Sequence, residues 1–195
     1  MKKVLCIGEA LIDMICTDKG STLSAGEHFL KKTGGAPTNV AAAVAALGGS
    51  VSLVAKVGRD PFGDQLIQVM QEFGVDTRYM FRDDFHFTTL AFVSLMENGE
   101  RDFVFSRGAD GFLTTDELQT VPMQEVHTVH FGSATAFLPG PLQEAYKALL
   151  HQSINSGKFI SFDPNYRHLL YKDCQPSFIE QSWYFLERCH FSFRR

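Results

Sequence analysis

The sequence predicts an α/β fold in which a mainly parallel β-sheet lies between layers of helices and carries a small β-structured addition. Short apolar segments rich in β-branched residues, such as 51–57, alternate with segments of helical periodicity. That order is typical of parallel sheets covered on both faces. A predicted antiparallel hairpin at 86–106 interrupts the alternation, and no internal repeat or linker divides the chain. We therefore expect one domain with an inserted β-element.

The first half of the chain predicts two strand and helix pairs. Strands are expected at 4–7 and 51–57, and an alanine-rich helix at 39–47 lies between them, ended by Gly48 and Gly49. Asp60 and Pro61 are a typical N-cap and first-turn residue for the next helix. The apolar residues of that helix recur at helical spacing until Gly74.

The second half predicts the hairpin and then further strand and helix pairs. The segments 86–96 and 101–106 alternate apolar and polar residues around an Asn-Gly reversal at 97–100. Thr114 to Glu117 is a capping-box start for a short helix. The remaining expected elements are a strand at 126–131, a helix at 141–156, a strand at 159–162 and a helix at about 176–187. Cys189, Phe191 and Phe193 have the pattern of one more buried strand.

Composition and charge disfavour several classes of protein. The net charge is −4 without a long basic block, so we expect no nucleic-acid partner. The apolar runs are too short to span a bilayer, and the N-terminal segment lacks a signal-peptide cleavage pattern. The four cysteines show no C-x-x-C spacing, which favours thiols in a reducing cytoplasm.

The stretch GGAPTNVAAAVAALGG contains the first candidate site. Gly34 and Gly35 allow backbone N–H groups to approach a ligand closely, and Pro37 fits the first turn of a helix. Asn39 offers a donor and an acceptor near the helix N-terminus, which suits a polyhydroxyl or anionic ligand. The same stretch is compatible with a glycine turn before a packed helix. It matches neither a dinucleotide fingerprint nor a Walker loop.

Other polar residues follow predicted strands. Asp13 comes after the first strand, and Asp163, Asn165 and Arg167 come after the strand at 159–162. Because parallel strands gather ligands at their carboxyl ends, these positions suit a binding site. Arg107 ends the hairpin and could reach the same cleft. A solvated carboxylate and exposed arginines are the alternative interpretation.

No metal centre or hydrolase triad is expected from the sequence. The seven histidines lack H-E-x-x-H or H-x-H spacing, and no G-x-S-x-G elbow is present. In Gly58-Arg59-Asp60-Pro61, the helix start explains the last two residues but not the first two.

Taken together and in this order, the motifs CIGEALID, GGAPTNVA, KVGRDPFG, FSRGAD and FDPNYR resemble those of the ribokinase-like (PfkB) carbohydrate kinases, in particular the fructokinase type. The resemblance implies a ribokinase-like three-layer α/β/α fold with a β-lid. Residues 1–195 would form an incomplete kinase domain, with the lid from about 15–32 and 86–107.

The resemblance also implies roles for individual residues. The predicted sugar-binding residues are Asp13, Gly34, Gly35, Asn39, Arg107 and Arg167. Asp163 and Asn165 would lie near the transferred phosphate. The family reaction would move the ATP γ-phosphate to a sugar hydroxymethyl group with Mg²⁺ on the phosphates. Fructose is the leading acceptor, with 2-keto-3-deoxygluconate, ribose or a nucleoside as alternatives, and the lid could support a homodimer.

One signature of the family is absent from this sequence. The late Asp-Thr-x-Gly-Ala-Gly-Asp segment, which supplies an anion hole and the catalytic base, does not occur, and Gly108-Ala109-Asp110-Gly111 precedes no long helix. The family continues for on the order of a hundred further residues. We expect a C-terminally truncated or frame-shifted chain ending in RCHFSFRR, with no catalytic residue of its own and little activity. The alternative is a non-catalytic sugar-binding or dimerising fragment.

Overall fold

A computed structural model describes residues 2–95 and 101–192. The strands are β1 (Lys3–Ile7), β2 (Leu11–Cys16), β3 (Phe29–Gly34), β4 (Ser50–Gly58), β5 (Met80–Asp83), β6 (Leu90–Leu95), β7 (Arg101–Ser106), β8 (Val126–Phe131), β9 (Phe159–Phe162) and β10 (Phe191–Ser192). The helices are α1 (Ala36–Ala46), α2 (Pro61–Glu72), α3 (Thr115–Leu118), α4 (Pro141–Asn155), α5 (His168–Tyr171) and α6 (Gln175–Leu186), and 3₁₀ turns cover Ala109–Phe112 and Met123–Glu125.

The central sheet of the described residues has the strand order β10-β9-β8-β1-β4-β5, and its paired strands are parallel. Strand β1 lies in the middle, with Val4 opposite Val51 on one side and Thr128 on the other. Because every strand runs the same way, the carboxyl ends of β1, β8 and β9 meet at one edge. The predicted parallel sheet is confirmed.

Helices cover both faces of this sheet. Leu5 and Ile7 point into an apolar cluster with Leu142, Leu149 and Phe185 from α4 and α6. The intervening Cys6 points into a second cluster, which holds residues of α1 and α2 such as Ala41, Leu66 and Met70. Since alternate residues of a strand face opposite sides, the two clusters lie on opposite faces of the sheet. The three-layer α/β/α architecture is confirmed.

A second sheet has the order β3-β2-β6-β7. Strands β2 and β3 are antiparallel, β2 and β6 parallel, and β6 and β7 antiparallel, so the predicted hairpin is present. This sheet begins at Leu11 and its β3 ends at Gly34, a wider span than the 15–32 segment expected for a lid. The reversal at 97–100 lies outside the described residues.

Two threonines fix the second sheet to the central domain just before β6. The backbone N–H of Thr88 donates to Asp60 Oδ2 at 2.7 Å, its hydroxyl donates to Asp60 Oδ1 at 2.9 Å, and Gly58 N–H donates to that hydroxyl at 3.0 Å. Thr89 Oγ1 accepts from Gly108 N–H at 2.8 Å. A side chain at Gly58 would meet Thr88 N at 2.6 Å. The KVGRDPFG motif therefore anchors the strand that enters the second sheet.

Local signals placed most element boundaries within a few residues. Asp60 caps α2 by accepting from Phe62 and Gly63 N–H, and Thr114 forms the predicted capping box. Helix α1 begins at Ala36, three residues before the predicted start, because Pro37 occupies its first turn. Strand β10 forms, but Phe191 is half exposed, so it is not the buried strand expected.

Among the residues described, no helix combines the length and apolar character that crossing a bilayer requires.

Candidate functional site

Several of the predicted site residues lie where the central sheet meets the second sheet. Strand β1 leads through Gly8 and Glu9 into β2, while β3 leads through Gly35 into α1. Ligands of open parallel sheets bind at this carboxyl edge. A side chain at Gly8 would lie 2.5 Å from Ser133 Cβ and 2.6 Å from Pro37 Cγ, so a glycine is required for the close packing of the three segments.

Asp13 is the central acidic residue of the site. It does not directly follow the first strand, as predicted, but is the third residue of β2 in the second sheet. Its carboxylate lies against Gly34, where a side chain would place Cβ 2.1 Å from Asp13 Oδ2. Burial raises the pKa of Asp13, and the charge of Arg167 opposes that rise. The structure thus brings Asp13, Gly34 and Arg167 together.

Gly35 and the start of α1 depend on a residue that lies far away in sequence. Gly35 has φ +104° and offers no side-chain cap to the helix. Instead Glu9 Oε1 accepts from Ala36 N–H at 3.1 Å, and Thr38 Oγ1 donates to the Glu9 carbonyl at 3.2 Å. Asn39, one turn into the helix, is exposed to solvent. Its side chain is therefore available to a ligand at this edge.

Glu9 is almost fully buried and ionisable. Its Oε2 accepts from the Ser133 hydroxyl and from Ala134 N–H, the latter at 3.1 Å. Burial raises the pKa of Glu9 to about 7, although the hydrogen bonds from Ser133 and Ala36 oppose the rise. The carboxyl group therefore changes charge near neutral pH.

Arg107 lies beside a second buried carboxylate, that of Asp110. The guanidinium donates to Pro139 O at 2.9 Å and to Thr135 O at 3.3 Å, and its Nε is 3.8 Å from Asp110 Oδ2. Asp110 also accepts from Thr135 Oγ1 at 2.8 Å and from Thr89 Oγ1. Two backbone carbonyls of the loop after β8 thus hold the Arg107 side chain, which extends from the end of β7. Its contact with a sugar stays a prediction.

Asp163 and Asn165 shape the loop after β9. Asp163 accepts from Asn165 N–H at 2.9 Å, and the Asn165 amide donates to Gly132 O at 2.9 Å. Asn165 has φ +47°, a conformation that asparagine tolerates better than most residues. The Asn165 side chain ties this loop to the end of β8, whereas the Asp163 carboxylate holds the backbone of its own loop. The proximity of both side chains to a phosphate stays a prediction.

Within 2–95 and 101–192, no three His, Cys, Asp or Glu residues come together in a way that could hold a metal. The hydrogen bonds of the Asp163 and Asn165 side chains go to the backbone of Asn165 and Gly132. A groove of about 400 Å³ between α4 and α6 is lined by residues such as Gln143 and Tyr184 and contains none of the predicted site residues.

Neither Glu9 nor Asp110 is among the residues predicted from the sequence to face a ligand. Both occur inside recognised motifs, CIGEALID and FSRGAD, next to the residues that were predicted. A carboxylate directly after a buried strand is the available signal for Glu9. Its burial depends on Ser133 and Ala36, which lie 124 and 27 residues away, so the sequence pattern alone does not reveal it.

Comparison with known proteins identifies the family. A model of the pfkB family carbohydrate kinases matches residues 1–186. The chain belongs to that family. It is 39% identical over 170 residues to fructokinase-1 of Zea mays, covering 86% of this chain and 52% of the maize protein. The chain therefore spans about half the length of the curated relatives it matches.

Solved structures share the fold. A sugar kinase from Pyrococcus horikoshii superposes with a TM-score of 0.89 at 30% identity, covering 97% of this chain and 64% of that one. Fructokinase from Xylella fastidiosa with bound ATP gives 0.83 at 33% identity, covering 97% and 56%. The ribokinase-like fold is confirmed, and ATP binds to relatives within the family.

Proposed function

We propose that this chain forms the sugar-recognition part of an ATP-dependent sugar kinase, with fructose as the leading acceptor. The observation that carries the proposal is the Asp13 carboxylate lying against the Gly34 backbone; burial raises the pKa of that carboxyl, and Arg167 is close enough for its charge to oppose the rise. A partly buried carboxylate, bare backbone and a guanidinium are suited to binding sugar hydroxyls. The fructokinase names of several relatives support fructose.

In the complete reaction the sugar hydroxymethyl oxygen would attack the γ-phosphorus of ATP. The bond from that phosphorus to the ADP oxygen would break, and the hydroxyl proton would pass to a base. The family resemblance places this base in a Gly-Ala-Gly-Asp segment that the 195 residues do not contain. Loss of a general base lowers rates by a factor of roughly 10² to 10⁴. We therefore expect a chain of these 195 residues to bind sugar without useful turnover.

Calorimetric titration with fructose tests recognition, and release of ADP from ATP and fructose tests turnover. Binding without ADP release is the expected result. ADP formation above background would contradict the proposed inactivity, whereas a folded chain that binds no fructose would contradict the site. Titrations with 2-keto-3-deoxygluconate, ribose and adenosine under the same conditions rank the alternative acceptors.

A dimerising role is the second candidate, favoured by one observation. The face of the second sheet that carries Asp13 also carries Ile15, Leu30 and Leu95, exposed by 39%, 47% and 60%. Association of two such faces would cover these side chains. Sedimentation of the chain and of an Ile15→Asp variant tests this. A concentration-dependent dimer that the variant abolishes supports a homodimer through this sheet, and a monomer at all concentrations removes it.

A further inference from the structure

Buried hydrogen bonds connect the start of α1 with the base of the second sheet. In order, the groups involved are Glu9, Ser133, Thr135, Asp110 and Thr89, which we call the carboxylate chain. Ser133 bonds to Glu9 and lies 3.4 Å from Thr135 Oγ1, and Thr135 donates to Asp110 at 2.8 Å. All five residues are at most 4% exposed. Glu9 is the member of the carboxylate chain that contacts residues 34–36, which we call the proposed sugar-binding turn.

The position of Glu9 answers a specific need of α1. Helix N-termini leave N–H groups without partners, and a side chain just before the helix normally accepts from them. No such side chain fits here, because Gly35 has φ +104° and its Cβ position lies 2.3 Å from the Glu9 carbonyl oxygen. Glu9, which lies in the connection between β1 and β2, supplies the missing acceptor. Its backbone lies against Gly35, and its carboxylate accepts from Ala36 N–H.

We propose that Glu9 is a positioning residue for sugar recognition. This proposal rests on the proposed function. Glu9 holds the backbone at 34–36 against the loop at 133–134, and it thereby fixes the position of Gly34, against which Asp13 lies. The ionised carboxylate accepts on both oxygens, from Ala36 on one side and from Ser133 and Ala134 on the other. Protonation or removal of the charge takes away one of these acceptors.

The charge of Glu9 is determined by few neighbours. Burial raises the pKa of Glu9 most, the hydrogen bonds from Ser133 and Ala36 oppose the rise, and the charge of Asp110 adds to it. The hydroxyls of Tyr146 and Tyr171, which interact with Glu9 electrostatically, have pKa values raised by their own burial. The N-terminus of α1 favours the ionised form. Protonation of Glu9 near neutral pH is therefore expected to loosen the backbone at 34–36, because one acceptor is lost. We expect sugar to bind tightly above pH 7 and more weakly below it.

The first experiment needs no sugar. Amide hydrogen exchange of the whole chain is compared for the wild type and Glu9→Gln at pH 8. We expect faster exchange at 34–38 in the variant, with little change in β4. The matched control is Glu144→Gln, which changes an exposed glutamate in the first turn of α4. Unchanged exchange at 34–38 in Glu9→Gln would overturn the proposal.

The second experiment measures fructose affinity by calorimetry from pH 6 to pH 8.5. We expect the wild type to bind more tightly as the pH rises, Glu9→Gln to bind about three- to tenfold more weakly at pH 8, and the variant to lose most of the pH dependence. Glu144→Gln should match the wild type. Equal affinity and an equal pH profile in Glu9→Gln and the wild type would also overturn the proposal.

Two further results separate folding and function from positioning. If Glu9→Gln does not fold, Ser133→Ala removes the hydroxyl that donates to the Glu9 carboxylate and accepts from Thr135 N–H at 3.2 Å, and the same change in exchange at 34–38 is expected. No change there counts against the proposal. If the wild type binds no fructose, the proposed function fails, and the exchange experiment alone decides whether Glu9 positions the turn.

Discussion

Substitution of the two adjacent glycines by alanine is expected to affect different properties: fructose binding for Gly34 and the free energy of unfolding for Gly35. In Gly34→Ala the new Cβ would lie 2.1 Å from Asp13 Oδ2, while ordinary contact begins near 3.4 Å, so that oxygen must retreat by about 1.3 Å. The other atoms that the new Cβ would crowd, Asp13 Cγ at 2.9 Å and Leu11 Cδ1 at 3.0 Å, also belong to side chains and not to the backbone, and the φ of Gly34 is not in the left-handed region. The free energy of unfolding should therefore stay within about 1 kcal/mol of the wild type.

Binding should suffer much more than folding in Gly34→Ala. A hydrogen bond to a charged group contributes about 1.5–3 kcal/mol, so displacement of one Asp13 contact weakens fructose binding by roughly 10- to 150-fold. Calorimetric titration with fructose and urea unfolding of the same preparation measure the two effects. Unchanged affinity in a folded Gly34→Ala protein would refute the role of the Asp13 and Gly34 contact.

In Gly35→Ala the damage should fall on the fold. The residue has φ +104°, and its Cβ would lie 2.3 Å from the backbone oxygen of Glu9, which cannot move aside alone. Strain of about 1–2 kcal/mol and a clash of about 1–3 kcal/mol predict a loss of roughly 2–5 kcal/mol. Gly48→Ala is the matched control, since Gly48 has φ +81° and open space around it. Equal losses in the two variants would show that the Glu9 contact contributes nothing.

The other predictions concern ionisable groups. Because burial raises the pKa of Glu9 from 4.5 to about 7, the folded chain keeps a proton between these pH values that the unfolded chain has lost. The free energy of unfolding should therefore fall by about 3 kcal/mol as pH rises through that interval. Urea unfolding should show this pH dependence in the wild type and a flatter profile in Glu9→Gln. Asp60→Ala removes the α2 cap and the two Thr88 bonds, which should cost about 2–4 kcal/mol by thermal unfolding, and a loss under 1 kcal/mol would contradict the anchoring role. The hydrogen bond from Arg78 lowers the pKa of Asp76, so the stability it contributes should be lost as pH falls below about 4, and an Asp76→Asn protein should lack this acid-dependent loss.

Local signals explain why the fold was largely predictable from the sequence. Asp60, Pro61 and Gly74 bound α2 by chemistry contained within a few residues, and the apolar alternation of β8 needs no distant information. Short β5 was not predicted, because MFRD alternates weakly and pairs with β4 only in the folded sheet. Asp13 was identified as a site residue but assigned to the wrong sheet, since nothing local shows that the chain leaves the central sheet after Ile7.

Only part of the candidate site could be predicted from residue type. Gly34, Gly35 and Asn39 were predicted because glycines and a side-chain amide have a recognisable use beside a helix start, and the structure buries the two glycines and exposes Asn39. The residues that were missed are carboxylates whose function depends on partners from distant segments, as Glu9 bonds to Ser133 and Ala36. Sequence patterns record spacing along the chain and not enclosure by other segments, so an acidic residue after a strand is the same pattern whether it is solvated or buried.

The charged residues of the proposed sugar site lie in two layers, one partly accessible and one buried. Asp13 is partly accessible, as the proposed contact with a sugar requires, and its position depends on the residues that surround it. We expect the buried layer to supply rigidity to these surroundings. Glu9 accepts from Ala36 N–H beneath Asp13, Asp110 lies 3.8 Å from Nε of Arg107, and Ser133 with Thr135 joins the two carboxylates. Burying two carboxylates costs free energy that an apolar core would not. The buried carboxylates offset this cost if they fix the position of Asp13 and Gly34. The comparison of Gly34→Ala with Gly35→Ala tests this, because it measures fructose affinity separately from stability.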